Sequence, residues 1–400
     1  MTFLERARTK TEAGITVSAA ALTEPESKAH FGVDMAGGGV QPVWLRIENH
    51  DGAGYWFAPV ALDPNYFSAG EVADMNSFML SSEARVGMEA FFRQESAPNF
   101  VGPGSSVAGF VYTPIDWGAK ATTVLLIGDH EQRQIDFVLP VPNIDADWMA
   151  VDFDDLYPPD QIQTFEVGNE AALRTALEAL PCCATDREGR RYGDPLNFAF
   201  VGRFETVMAA LTRAGWDETA TLTASSALKT FDAFLFRQRY RNSPVSPLYV
   251  FGRHQDAAFQ KSRETISRRN HLRLWQTPLT YDGLPVWIGQ ISRDVGVRFT
   301  AKTWHLTTHA IDADLDAERW YLVQDLLWVE AVAHMGFAEG VGVSRIDDSR
   351  STFGGDPYFT DGLRAVLFIA DEPVGSDDVD QLEWASPPTG AERAALLGGE

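Results

Sequence analysis

Arginine is concentrated in one stretch of a chain that is otherwise acidic. The 400 residues carry 33 Lys and Arg against 56 Asp and Glu, a formal charge of −23. Between Lys229 and Arg273 the balance inverts. Lys229, Arg237, Arg239, Arg241, Arg253, Lys261, Arg263, Arg268, Arg269 and Arg273 face only Asp232, Asp256 and Glu264. A guanidinium is a planar fork of donors that matches phosphate or carboxylate. Arg253, Arg268, Arg269 and Arg273 are therefore the candidate ligand-binding residues. The competing expectation is that this island complements the chain's own carboxylates.

Histidine and aspartate supply the second set. His305 and His309 are four residues apart, a spacing that clamps a metal when it lies on a helix. The run "TWHLTTHA" is β-branched, and on a strand such residues sit ~13 Å apart, too far for one ion. No metal is expected. Asp312, Asp314, Asp316 and Glu318 alternate as calcium loops do. A calcium loop needs Gly and Glu where this chain has Ala317 and Val323, so Asp314 or Asp316 is expected to cap a helix. For hydrolysis the candidates are His309 or His271 as general base, Asp312 or Asp294 as its orienting carboxylate, and Arg273 or Arg253 against developing charge. There is no GxSxG, P-loop or CxxC motif, and "GVGVSR" follows a helix instead of opening one, so no cofactor is expected. Cys182 and Cys183 are adjacent. A bridge between neighbours is strained, so both read as reduced packing thiols.

The elements that must position these residues change character along the chain. Residues 14–152 hold short runs such as "GITVSAAAL", "PVWLRIENH" and "ATTVLLIGD", rich in Val, Ile, Thr and aromatics, between turn residues. That pattern predicts a β-sandwich-like domain. "MNSFMLSSEARVGMEAFFRQ" interrupts it with helical spacing that would bury Met79, Val86, Met88, Phe91 and Phe92. An acidic, Pro-containing stretch near Asp152–Gln163 marks a boundary. Residues 164–371 alternate helical and strand patterns and predict an α+β sandwich, an antiparallel sheet with helices on one face. "LTYDG" marks a hairpin, and "DAERWYLVQDLLWVEAVAHMG" is the longest helix candidate, closed by Gly336. Residues 372–400 read as an acidic flexible tail.

The block from Tyr249 to Arg319 resembles the LssY-like C-terminal domain family, found alone or fused to bacterial membrane lipid phosphatases. The resemblance covers roughly Cys182 to Asp371. It rests on Arg253, Asp256, His271, Arg273, Trp275, Trp287, Asp294, His309, Asp312, Asp316, Glu318 and Arg319, and on "PCCATDREGRRYGDPLNFAFVG". The front half resembles the region that precedes this domain in stand-alone members, through "FGVD", "QPVWLRIENH" and "LDPNYFS". In "THAID" Ala310 stands where a second His is expected. The resemblance implies a fold unit and an envelope neighbourhood, not a reaction. The phosphatase itself is absent: "SRRNH" has the wrong spacing and no Ser-Gly-His occurs.

Two functions follow as expectations. One is an envelope accessory protein whose C-terminal domain binds an anionic small molecule or lipid headgroup, with the front β domain available to a protein partner. The other is a hydrolase acting on a phosphorylated lipid or glycan. The net charge argues against nucleic acid. No run reaches the ~18 apolar residues of a membrane span. The location expected is the periplasm or envelope if an export signal was trimmed, and otherwise the cytoplasm.

Overall fold

When one face of a strand is buried, apolar and polar residues alternate along it, and the front of the chain folds accordingly. The computed structural model describes residues 2–77, 80–116, 119–140, 148, 151–218, 248–262, 269–299 and 307–398. It divides into two units, Met1–Ala146 with Met208–Gly215, and Asp147–Val207 with Trp216–Glu400.

The first unit contains strands β1 (Arg8–Glu12), β2 (Ile15–Ala21), β3 (Val40–Asn49), β4 (Tyr55–Phe57), β5 (Phe100–Val101), β6 (Ser106–Pro114), β7 (Ala119–Ile127) and β8 (Gln132–Pro140). They form two open sheets, β1-β2-β3-β6 and β5-β4-β7-β8. Val17, Leu45, Ile47 and Val111 of one sheet pack with Phe57, Val124, Leu126 and Phe137 of the other. Helices α1 (Glu24–Phe31), α2 (Pro59–Leu62), α3 (Ala69–Asn76) and α4 (Ser82–Glu95) join the strands. Thr23 with Glu26, and Ser68 with Glu71, close reciprocal caps at the starts of α1 and α3. The apolar side expected of α4 is smaller than its spacing implies. Phe92 is its one buried residue, stacked on Phe31 at 5.5 Å, while Val86 is 68% exposed. Met79 lies outside the described residues.

Asp136 gives this unit a pH dependence. It accepts from Thr123 Oγ1 at 2.7 Å, Gln134 Nε2 at 3.3 Å and Arg213 Nη1 at 3.4 Å. Burial pushes its carboxyl up to about 6 against the opposing pull of Arg213. The folded unit keeps a proton that the unfolded chain releases near pH ~4. Stability therefore falls as pH rises from about 4 to about 6, by about 3 kcal/mol across that window. Asp136→Asn is expected to remove this slope. In urea unfolding followed from pH 4 to 7, its advantage over the unaltered protein should grow with pH. A constant difference would refute the assignment.

The second unit contains β9 (Gln163–Phe165), β10 (Cys183–Thr185), β11 (Tyr192–Pro195), β12 (Phe198–Val201), β13 (Asp217–Glu218), β14 (Tyr249–Val250), β15 (Arg253–His254), β16 (Ala257–Ser262), β17 (Arg269–Tyr281), β18 (Leu284–Phe299), β19 (Thr307–Ile311), β20 (Val332–Ala338), β21 (Arg350–Ser351), β22 (Pro357–Tyr358), β23 (Arg364–Ile369) and β24 (Asp380–Gln381). Its helices are α5 (Glu170–Glu178), α6 (Phe204–Arg213, shared with the first unit), α7 (Leu315–Trp328) and α8 (Gly390–Leu396). The main sheet runs β13-β16-β17-β18-β12-β23-β20-β24, with β19 on β18 and β9 on β17. Three of its pairings are parallel, β12 with β23, β17 with β9 and β20 with β24; the others are antiparallel. A smaller sheet runs β11-β10-β14-β15.

The hairpin expected at "LTYDG" is the β17–β18 turn, where Asp282 and Gly283 take φ of 49° and 74°. α5 packs through Leu173 and Leu177 on the face that carries Val286. α7 lies against the opposite face, where its Glu318 pairs with Arg293 at 2.7 Å. Helices thus flank the sheet on both faces, where the sequence places them on one.

Three further expectations are corrected. The long helix ends at Trp328, not Gly336, because Glu330 turns to φ 57° and Val332–Ala338 pairs with β23. The acidic segment after Asp371 is tied down, through β24 on β20 and through Leu382 and Trp384 against the α5 core. Cys182 and Cys183 are joined by a disulfide. Cys182 lies in a bend before β10, so the two side chains escape the alternation that would separate them on a strand. Among the described residues no helix is long and apolar enough to cross a membrane.

Candidate functional site

The sequence "RNHLRLW" of β17 alternates, so Arg269, His271, Arg273 and Trp275 share one face while Asn270, Leu272 and Leu274 take the other. Register brings polar residues alongside. Gln260 of β16 and Ser292 of β18 stand opposite His271, and Gln290 stands opposite Arg273. Asp294 lies two residues beyond Ser292 on that face. The same face is apolar further along, where Trp275 and Ile288 pack with Ala184, Leu196, Leu248 and Val250.

The side chains interlock. His271 Nε2 meets Asp294 Oδ2 at 2.7 Å, Arg273 Nη1 donates to Gln290 Oε1 at 2.8 Å, and Arg269 Nη1 donates to Gln260 Oε1 at 3.2 Å. Arg269, Arg273 and Asp294 are 3%, 9% and 4% exposed. His271 Nδ1 and Trp275 Nε1 are buried without a hydrogen-bond partner among the described residues. Leaving such a group unsatisfied costs ~1–3 kcal/mol.

Burial sets the protonation of this layer. It draws the His271 imidazole below its usual value, with Asp294 pulling the other way and Arg273 and Arg269 adding to the fall. The ring is therefore neutral at pH 7. With Nε2 facing a carboxylate, Nε2 carries the hydrogen and Nδ1 the lone pair. Burial also lowers Arg269 in spite of Asp294, and Arg273 in spite of Asp194 and Asp294. Asp194 on β11 is itself raised by burial, against the pull of Arg273. Other buried arginines behave differently. Burial would lower Arg253 and Arg319, but Asp256 and Asp361 more than offset it and both are raised.

The candidate residues thus separate. His271, Asp294, Arg269 and Arg273 converge. Arg253 does not join them: it is clamped by Asp256 at 2.8 and 2.9 Å, by Tyr157 Oη at 2.8 Å and by the Gln276 carbonyl at 2.6 Å. Asp312 accepts from the Asp314 amide at 3.1 Å, and Asp314 caps α7 by accepting from Ala317 N at 3.1 Å. The backbone of His309 pairs with Val297 on β18, and its side chain lies outside the description. Arg268, His305, and the basic residues Lys229, Arg237, Arg239, Arg241 and Arg263 also lie outside the described residues. Gln260, Gln290 and Ser292 were not singled out from sequence, and Asp194 entered only through the family-like run "PCCATDREGRRYGDPLNFAFVG". For Gln290 and Ser292 the signal was the alternation of polar residues in "GQISRD", legible only once β17 is laid beside it. Among the described residues no three His, Cys, Asp or Glu side chains are placed to hold a metal ion.

The comparison with known families falls on these elements. Residues 172–363 match the family model described as LssY C-terminus. The C-terminal part of the chain is an LssY-like domain. Every residue of the cluster belongs to the LssY-like domain, and so does the Cys182–Cys183 bridge. No curated protein matches the chain.

Proposed function

We propose that the LssY-like domain binds an anionic group, a phosphate or carboxylate, through Arg269 and Arg273, as part of an accessory protein of the bacterial envelope. One observation carries this reading: two buried guanidiniums share one face of β17, on either side of His271, whose Nδ1 is buried without a hydrogen-bond partner among the described residues. A phosphate or carboxylate suits the planar donor forks of two neighbouring guanidiniums. The envelope placement follows from the family resemblance. The first unit would serve as a protein-contact surface, for which the adjacent exposed rings of Trp56 and Phe100, 5.0 Å apart, are suited.

Calorimetric titration of the full chain with inorganic phosphate tests the reading. Phosphate should bind and raise the melting temperature. Arg273→Gln should weaken binding about tenfold or more, as loss of a charge-assisted bond does. Arg253→Gln should leave it unchanged, because that side chain is saturated. Vesicles with and without phosphatidate distinguish a lipid headgroup from a soluble phosphate. Absence of phosphate binding, or equal damage from both variants, would overturn the reading.

A further inference from the structure

We propose that the anion site is also a hydrolytic site, in which His271 is the general base for attack of water on a phosphate monoester and Asp294 is its positioning residue. The inference rests on the anion-binding reading and adds a reaction and a substrate class to it. Three observations support it. The Nε2 bond to Asp294 fixes the ring so that its basic atom is Nδ1, and that atom is buried without a partner among the described residues. The two arginines stand two residues to either side of His271 on the same face, ~7 Å along the strand, a spacing that suits two donors flanking a phosphoryl group. The ring is held neutral by burial, the state a base must start from.

The step balances without a co-reactant other than water. Nδ1 takes a proton from water as the water oxygen bonds to phosphorus. The bond from phosphorus to the ester oxygen breaks on the far side, the leaving oxygen takes its proton from solvent water, and Nδ1 returns the one it gained to solvent. Arg269 and Arg273 face the non-bridging oxygens, where charge accumulates. Products are an alcohol and inorganic phosphate, so phosphate is both product and binding probe.

The test uses the full chain with p-nitrophenyl phosphate as substrate and inorganic phosphate as ligand. The protein should release p-nitrophenol. His271→Gln should lower kcat about 100-fold or more, within the usual worth of a general base, with KM and phosphate affinity changed less than about threefold. Because His271 is buried, His271→Asn is a second variant, and both are compared at equal melting-temperature margin. Asp294→Asn should lower kcat and move the acid limb of the kcat–pH profile to lower pH. The titratable groups facing the ring are Asp294, Arg269 and Arg273, with Asp194 behind Arg273, and Asp294 alone favours the protonated form. A purely structural aspartate would not shift that limb. If phosphate binds but the ester is not turned over, or if both His271 variants keep kcat, the hydrolytic inference fails and the binding reading stands. If phosphate does not bind, both fail.

Discussion

Replacing Arg319 with alanine is expected to destabilise the second unit by about 3–5 kcal/mol, as loss of one partner from a buried ion pair does. The guanidinium is fully buried. Its Nη1 and Nη2 donate to Asp361 at 2.8 and 2.7 Å, and Nη1 also reaches the Leu363 carbonyl at 2.6 Å. Asp316 stands 3.4 Å away and accepts from Thr360 Oγ1 at 2.6 Å and Asp361 N at 2.9 Å. Alanine would leave two buried carboxyls facing one another. Burial already raises Asp316, and Arg319 is the chief group opposing that rise. In the variant the carboxyl should be raised further. A carboxyl raised in the folded state loses stability as pH climbs toward its folded value, so the deficit of Arg319→Ala should be larger at pH 7 than at pH 5. Equilibrium urea unfolding at both pH values measures it. A loss below about 1 kcal/mol would mean that the network is not cooperative.

Arg364→Ala should cost about 3–4 kcal/mol for a different reason. Its hydrogen-bond partners among the described residues are backbone carbonyls: Leu196 at 3.0 Å, Leu180 at 3.2 Å, Pro181 at 2.5 Å, Gly340 at 3.2 Å, and Leu177. One side chain thus satisfies the end of α5, the turn into β10 and the loop after β20. Charged donors are worth about 1.5–3 kcal/mol each, and the abandoned carbonyls would be only partly rehydrated. Burial brings the guanidinium down to about 10, with Glu178 opposing. Arg364→Lys should recover little of the loss, because one ammonium cannot reach acceptors arranged around a planar fork. Full recovery by lysine would show that charge, not geometry, is what the site requires.

The sequence exposed what depends on local pattern. The Asp282-Gly283 turn, the cap before α7 and the strand rhythm of the first unit are all properties of neighbouring residues. Arg269, His271 and Arg273 were visible as types, but Asp294 lies 23 residues from His271, and only the hairpin register joins them. The α7 end was misread because Leu322, Val323 and Leu326 continue into Val332 and Met335 at spacings that serve a helix or a strand. Arg253 looked equivalent to Arg269 and Arg273. Its role diverges through Asp256, a partner that charge counting cannot assign.

A fragment cut at residue 363, where the family match ends, would lose the strand that holds the sheet together. β23 lies between β12, its parallel neighbour, and β20, its antiparallel one. Without it the hairpin half that carries His271 would keep an open hydrogen-bonding edge at β12, and β20 would be severed from it with β24 lost as well. The Arg364 anchor would go with it. An expression piece intended to retain the His271–Asp294 pair therefore has to extend past Ile369, and the recognisable sequence segment is shorter than the smallest piece able to fold around it.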